Sequence, residues 1–326
     1  TVNANFTVAL TNPRYETISI DYNTLAGTAF TNCDYTSISG TLYFSAGEIS
    51  KNISVSVIGD AIDEVNETYF VKLANVINAT IADSSGLGTI TNDDVSPSFI
   101  ISDVTLTEGN SGTTNAAFTV SLSNTSGKTI TVNYATQNST AVANGDFTSA
   151  SGSLTFLPGN GTCSIGDTST TITIVVNGDL YDEVNETFAV NLSGATNATI
   201  ADAQGLGTIT DDDAEPIVTI SDVTLTEGNT GTKNFTFNVS LSLLSGKTIA
   251  MNYTTANGTA VAGSDFISNT GTLTFNPGDT LKSITVSVNG DLINEIHEDF
   301  FVNLSSVTNA SFADSVAVGT IVNEDP

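Results

Sequence analysis

The chain has 326 residues, a net charge of −28, and 7 Lys and Arg against 35 Asp and Glu. That balance argues against recognition of DNA or RNA, which needs basic residues facing phosphate, and against attachment to an anionic membrane surface. No stretch approaches the roughly 20 consecutive apolar residues of a membrane span, and no signal-peptide pattern is present.

Thr, Ser, Asn, Val and Ile dominate, a composition suited to pleated, half-exposed strands. Taken from the start, residues 1–10 (TVNANFTVAL) read as a strand and match residues 113–122 (TTNAAFTVSL) of a later copy. The first unit is therefore expected to lack its first strand, and the chain reads as an excerpt from a longer array. The second copy is the fullest. Its predicted strands are SFIISDVTL, ending at Leu106; AAFTVSL, with Phe118, Val120 and Leu122 on one face; TITVNYAT, with Ile130, Val132 and Tyr134 on one face; GSLTF; TITIVV; TFAVNL, with Phe188, Val190 and Leu192 inward; and a last segment, ATIADAQGLGTIT. These are short period-2 runs broken by Gly, Asn, Asp and Ser, and no useful length of chain has helical periodicity.

The third copy repeats the pattern: Glu227 follows Glu108 by 119 positions, whereas Asp146 follows Asp34 by 112. The 7-residue difference has a visible source in an insertion within residues 160–171. Three units follow, at residues 1–95, 96–214 and 215–326, each near the usual size of a single-core domain. The expected fold class is all-β, as tandem immunoglobulin-like seven-stranded β-sandwiches arranged end to end. Pro97 and Pro216 mark junctions too short to be flexible tethers, which predicts a rod.

The acids recur in register. The first copy has Asp34, Asp60, Asp63, Glu64, Glu67, Asp93 and Asp94. The second has Glu108, Asp146, Asp179, Asp182, Glu183, Glu186, Asp211, Asp212 and Asp213. The third has Glu227, Asp265, Asp291, Glu295, Glu298, Glu324 and Asp325. With seven strands alternating in direction, the first, third, fifth and seventh run the same way, and each acidic group follows one of them. All four groups then fall at one end of the sandwich. So many carboxylates in one place need protons, separation or a cation. Ca²⁺ fits best, because it takes about 6–8 oxygen ligands in irregular geometry. Zn²⁺ and copper would want His or Cys. An EF-hand fails, because the run from Asp179 lacks the required Gly and the flanking helices. A solvated acidic rim is the bland alternative.

The run GDLYDEVNETFAVNL, the preceding GSLTFLPG and the closing GLGTITDDD resemble the Calx-beta domain, over nearly the whole chain and in three copies. The resemblance implies calcium held at one end of the sandwich. Its ligands would be a Glu after the first strand, an Asp after the third, an acidic run after the fifth and a C-terminal acidic triplet, the same nine residues of the second copy. Asn294 stands where the second copy has Asp182, Asn323-Glu324-Asp325 replace its triplet, and the first copy has Asn92 and no N-terminal Glu. The second copy is expected to bind calcium most tightly and the first most weakly.

Cys33 and Cys163 lie in different units, so an intrachain bridge is geometrically doubtful. They read as incidental thiols or as an intermolecular bridge. Asn-x-Ser/Thr sites such as Asn66, Asn185, Asn197, Asn252, Asn303 and Asn309 are glycosylation sites in one setting and a by-product of Asn- and Thr-rich strands in another. His297 reads as an exposed loop residue. No catalytic constellation can be assembled, so a non-enzymatic role is expected. The first reading is a calcium-stiffened segment of an extracellular or cell-surface filament, stalk or adhesin, with neighbouring repeats as partners. The alternatives are a module recognising a glycan or protein, and a calcium sensor within a larger protein. The open edge of the first unit also offers a place for a strand from another chain.

Overall fold

The computed structural model describes residues 1–159 and 166–326; Cys163 and part of the expected insertion lie outside the described residues. In the first unit the strands are β1 (Val2–Ala9), β2 (Ile18–Ala26), β3 (Ser39–Phe44), β4 (Ser50–Val57), β5 (Glu67–Ile77) and β6 (Ser85–Ile90). The second contains β7 (Ser98–Ile101), β8 (Val104–Thr107), β9 (Gly112–Leu122), β10 (Ile130–Asn138), β11 (Ser151–Phe156), β12 (Ser169–Gly178), β13 (Glu186–Thr196), β14 (Thr199–Ile200) and β15 (Gln204–Thr210). The third repeats it with β16 (Ile217–Ile220), β17 (Val223–Thr226), β18 (Gly231–Leu241), β19 (Ile249–Asn257), β20 (Thr270–Phe275), β21 (Leu281–Gly290), β22 (Glu298–Ser305), β23 (Ser311–Phe312) and β24 (Val316–Val322). Among the described residues there is no helix.

Each unit is a pair of sheets. In the second they run β12-β9-β7-β14 and β11-β10-β13-β15-β8. The seven segments read from the sequence become nine strands, because the first and last segments each divide. β7 pairs with β9 in one sheet, and β8 pairs in parallel with β15 in the other. The crossing falls at Ser102-Asp103. There the Asp103 carboxylate accepts the Leu206 amide at 2.7 Å, and Asp222 does the same for Val318. A run of β-forming residues such as SFIISDVTLT shows no break by composition, so the change of sheet is a tertiary event. The parallel pairing of the first and last strands keeps the expected strand directions, and with them the shared end.

The core follows the period-2 pattern. Phe118, Val120, Ile130, Val132, Phe188 and Val190 are all buried. Phe147 stacks on Phe188 at 4.5 Å between centroids, Phe266 on Phe300 at 4.6 Å, and Tyr35 on Tyr69 at 4.6 Å. Each of the first-named rings directly follows an acid of the site, Asp146, Asp265 or Asp34. Burial of the ring therefore anchors the loop that carries the carboxylate and fixes it at the rim of the core. The first unit departs from this order. Its sheets are β1-β4 and β3-β2-β5-β6.

Candidate metal centre

Among the described residues four carboxylate clusters form, each with three oxygens within 4.8 Å of one another. They are Asp34, Glu64 and Glu67 in the first unit; Glu108, Asp211 and Asp213, and separately Asp146, Glu183 and Glu186, in the second; and Asp265, Glu295 and Glu298 in the third. Among the described residues, only the second unit presents two. Asp60, Asp93 and Asp94 line the same cleft as Asp34, Glu64 and Glu67. Asp60, Asp179 and Asp291 serve a turn, each accepting the amide two residues on, from Ile62, Tyr181 and Ile293, at 2.7–2.8 Å. Asp212 accepts the Gly109 amide at 3.0 Å, which ties the triplet to the loop after β8. In the third unit Glu227 and Asp325 are buried at the same pole, and Asp325 accepts the Asn229 amide group at 2.7 Å. Glu324 lies beside Gly228 and adds negative charge against Glu227.

Asp63 and Asp182, expected among the metal ligands, are also engaged by the following unit. Lys128 Nζ is 2.7 Å from Asp63 Oδ1, and Lys247 Nζ is 2.6 Å from Asp182 Oδ1. The hydroxyls of Ser126 and Ser245 donate to the carbonyls of Asp63 and Asp182 at 2.7 and 3.0 Å, and the amides of Gly127 and Gly246 donate to the same carbonyls. Each junction is thus a latch between an acid of one unit and a Ser-Gly-Lys loop of the next. A Cβ on Gly127 would stand 2.9 Å from the Glu64 side chain, and one on Gly246 would stand 3.1 Å from that of Glu183. The glycine lets the loop close down over a cluster carboxylate. Burial works against charge on Lys247, but Asp182 outweighs it and holds the ammonium above its usual range. The sequence signal was available: two of only seven basic residues stand at matching positions of consecutive copies.

Asn66 and Asn185 accept the amides of Asn92 and Asp211, the first residues of the C-terminal acidic segments, and His297 accepts that of Asn323 through Nδ1 at 3.2 Å. His297, expected as an exposed loop residue, is exposed and takes the place of Asn as a cap. Asn78, Asn197 and Asn309 take left-handed backbone conformations and donate through Nδ2 to the carbonyls of Thr17, Thr129 and Thr248. The recurrent Asn-Ala-Thr/Ser therefore has a structural cause independent of any glycan. Cys33, read from sequence as an incidental thiol or one half of an intermolecular bridge, is disulfide-bonded.

Electrostatics test whether a cation fits. Burial first, then the surrounding acids, pushes Glu67 up to about 8 and Glu108, Glu183, Glu186 and Glu227 up to about 7. Two carboxylates about 4–5 Å apart repel by about 3–4 kcal/mol at an effective dielectric near 20. Asp213 Oδ2, Asp325 Oδ2 and Asn323 Oδ1 are buried without a hydrogen-bond partner. An all-oxygen donor set, excess negative charge and orphaned acceptors at the same pole fit a hard divalent cation of calcium's size.

The pH dependence follows in sign. Groups ordinarily titrating near 4.5 hold their protons to about 7 or 8 in the folded chain. Between those limits the native state binds more protons than the unfolded state, so stability falls as pH rises. In EDTA the melting temperature should drop from pH 5 to pH 8. In excess calcium, which competes with those protons, the drop should vanish. A metal-free melting temperature that rises over this window would contradict the arrangement.

Tandem sandwiches with an oxygen-rich acidic pole define a class of modular metal-binding β-domains. The Calx-beta domain model matches residues 1–94, 91–210 and 211–325, and the chain belongs to that family. Among curated proteins it is 38% identical over 71 residues to sodium/calcium exchanger 1 of Canis lupus familiaris, covering 22% of this chain and 7% of that protein. It is 41% identical over 61 residues to sodium/calcium exchanger 3 of Homo sapiens, covering 19% and 7%. The chain therefore spans a small fraction of the relatives it matches. Among solved structures, CBD12 from CALX1.2 matches at 19% identity and TM-score 0.32, over 70% of this chain and 99% of that one. The apo-form Calx CBD1 domain matches at 23% identity and TM-score 0.32, over 34% and 100%.

Proposed function

We propose that the chain is a calcium-stiffened rod segment of an extracellular or cell-surface filament, stalk or adhesin, without catalytic activity. The observation that carries this reading is the position of the clusters at the junctions. The loop of the next unit lies against Glu64 at one junction and Glu183 at the other, so an ion held there braces the unit and its neighbour together. Without the ion, mutual repulsion of the acids pushes outward on the loops that carry the latch. The disulfide at Cys33 supports an oxidising location, and the deficit of basic residues agrees with a surface that repels polyanions.

Small-angle scattering with calcium and with EDTA tests the reading. The maximum dimension should be larger and more sharply defined in calcium, and in EDTA the profile should require an ensemble of bent chains. Identical profiles in the two buffers would remove the mechanical role. A sensing role would need an attached effector, and recognition of a glycan or protein has no specific feature of the described residues in its favour.

A further inference from the structure

Two departures from the repeat meet at the first junction. The turn from β3 to β4 is closed by a reciprocal pair of hydrogen bonds: the Ser45 amide donates to the Glu48 carboxylate at 2.7 Å, and the Glu48 amide to the Ser45 carbonyl at 3.0 Å. The turn from β20 to β21 has the same pair between Asn276 and Asp279, again three residues apart. From β11 to β12 the pair recurs between Leu157 and Asp167, ten residues apart. The insertion of the second unit is therefore spliced into a closed turn whose neck is unchanged. Gly159 and Gly166 form that neck, and a Cβ on Gly166 would stand 2.9 Å from the Gly159 nitrogen.

The second departure is Cys33, where the other units have Gly145 and Ser264. It sits in a tight loop that carries a cluster carboxylate. The amides of Cys33 and Asp34 both donate to the Phe30 carbonyl, at 3.3 and 3.0 Å, and the Asp34 carboxylate accepts the Phe30 amide. Tyr35, the next residue, is buried in the core. Displacing Cys33 therefore displaces Asp34. Gly159 and Gly166 line the same cleft as Cys33, Asp34, Glu64 and Gly127, a cavity of about 350 Å³ between the first unit and the second. Cys33 is disulfide-bonded, and the sequence has one other cysteine, Cys163, within the insertion. Cys163 lies outside the described residues, but the neck that carries it does not. Four residues separate it from Gly159 and three from Gly166, a reach of about 10–13 Å in extended chain, against about 4–7 Å between the Cα atoms of a disulfide.

We infer that Cys33 is bonded to Cys163 of the same chain, and that this bridge is a redox-controlled clip across the first junction that holds Asp34 in its cluster. The second junction offers neither half: Gly145 stands in the corresponding loop, and the turn from β20 to β21 has no insertion. The bond forms by exchange with a small-molecule disulfide. That S–S bond breaks, the Cys33–Cys163 bond forms, and two small-molecule thiols leave with the two protons. Excess small thiol runs the exchange backwards. The coupling is reciprocal: whatever factor the bridge adds to the calcium affinity of the first cluster, calcium adds to the exchange in favour of the disulfide. The coupling rests on the calcium reading above; the identity of the bond does not.

The test begins with the whole chain equilibrated with oxidised glutathione. Non-reducing peptide mapping of the monomer should return one pair of peptides joined through Cys33 and Cys163. A covalent dimer, or free thiols at both positions, would overturn the bridge. Calorimetric calcium titration then compares the parent with Cys33→Ser, a change the loop accommodates because Ser264 holds that place in the third unit. One class of site should weaken about fivefold or more in Cys33→Ser, and the others should not change. Reducing the parent with a phosphine should reproduce that loss, and the same reductant should do nothing to Cys33→Ser. In a chain carrying Asp34→Asn, reduction should change no class. A glutathione redox titration of the parent should shift toward the disulfide in calcium by the same factor. Equal calcium affinities in the oxidised and reduced parent would overturn the coupling and leave the calcium reading intact. No calcium binding by either form would remove that reading and the coupling with it, and the peptide map would still decide the bridge.

Discussion

Calcium should raise the melting temperature of the second unit by roughly 20 °C and that of the other units by roughly 10 °C. One ion at about 100 times its dissociation constant adds about 2.7 kcal/mol, and each kcal/mol moves a domain of this size by about 4 °C. Among the described residues the second unit has two carboxylate clusters, and each of the others has one. Substituting Asp211→Asn and Asp213→Asn should cut the gain of the second unit by half. The same change removes two charges that push Glu108 and Glu183 upward in pKa. The variant should therefore melt above the parent in EDTA and below it in calcium. That crossing, read by calorimetry in the two buffers, separates a metal site from a solvated rim, for which both buffers would give the same small change.

Lys247→Met should destabilise the second junction by about 3 kcal/mol. Asp182 is buried to 1% exposure, and its charge is met by Lys247 and the Ser245 hydroxyl. Removing one member of a buried pair strands the other, at a typical cost of about 3–5 kcal/mol. The lower end applies because the Lys247 side chain keeps 19% of its surface exposed. Adding Asp182→Asn to Lys247→Met should recover most of the loss, since the amide carries no stranded charge and the Asp182 carbonyl still accepts from Ser245 and Gly246. Denaturant unfolding of the two variants gives the comparison. A harmless single substitution, or a double that is worse than the single, would mean that the ion pair is not the fastening.

The convergence of the acids was legible because it depends on strand parity, and parity survives the division of the first strand into β7 and β8. The aromatic anchors were half legible. Phe147 stands next to Asp146 in sequence, but its stacking on Phe188, which fixes Asp146 at the rim, needs the fold. The junctions were legible only as the repeat of Lys128 and Lys247 at matching positions, not as a pairing. Asp63 and Asp182 look like any other acid of the repeat, and their partners Lys128 and Lys247 lie 65 residues away in another unit. Ser-Gly-Lys reads as an ordinary turn until the units are stacked. The disulfide at Cys33 was not legible either, since a single cysteine in a unit names no partner. His297 could have been recognised from its position alone, because it replaces Asn66 and Asn185, whose side chains cap the same amide.

Calorimetric titration of the metal-free chain with calcium is the most direct test of the central claim. The four clusters predict at least four bound ions per chain, with the tightest class in the second unit and protons released near neutral pH from glutamates that titrate at about 7. No heat of association at millimolar calcium, or a stoichiometry unchanged by Asp211→Asn with Asp213→Asn, would contradict it.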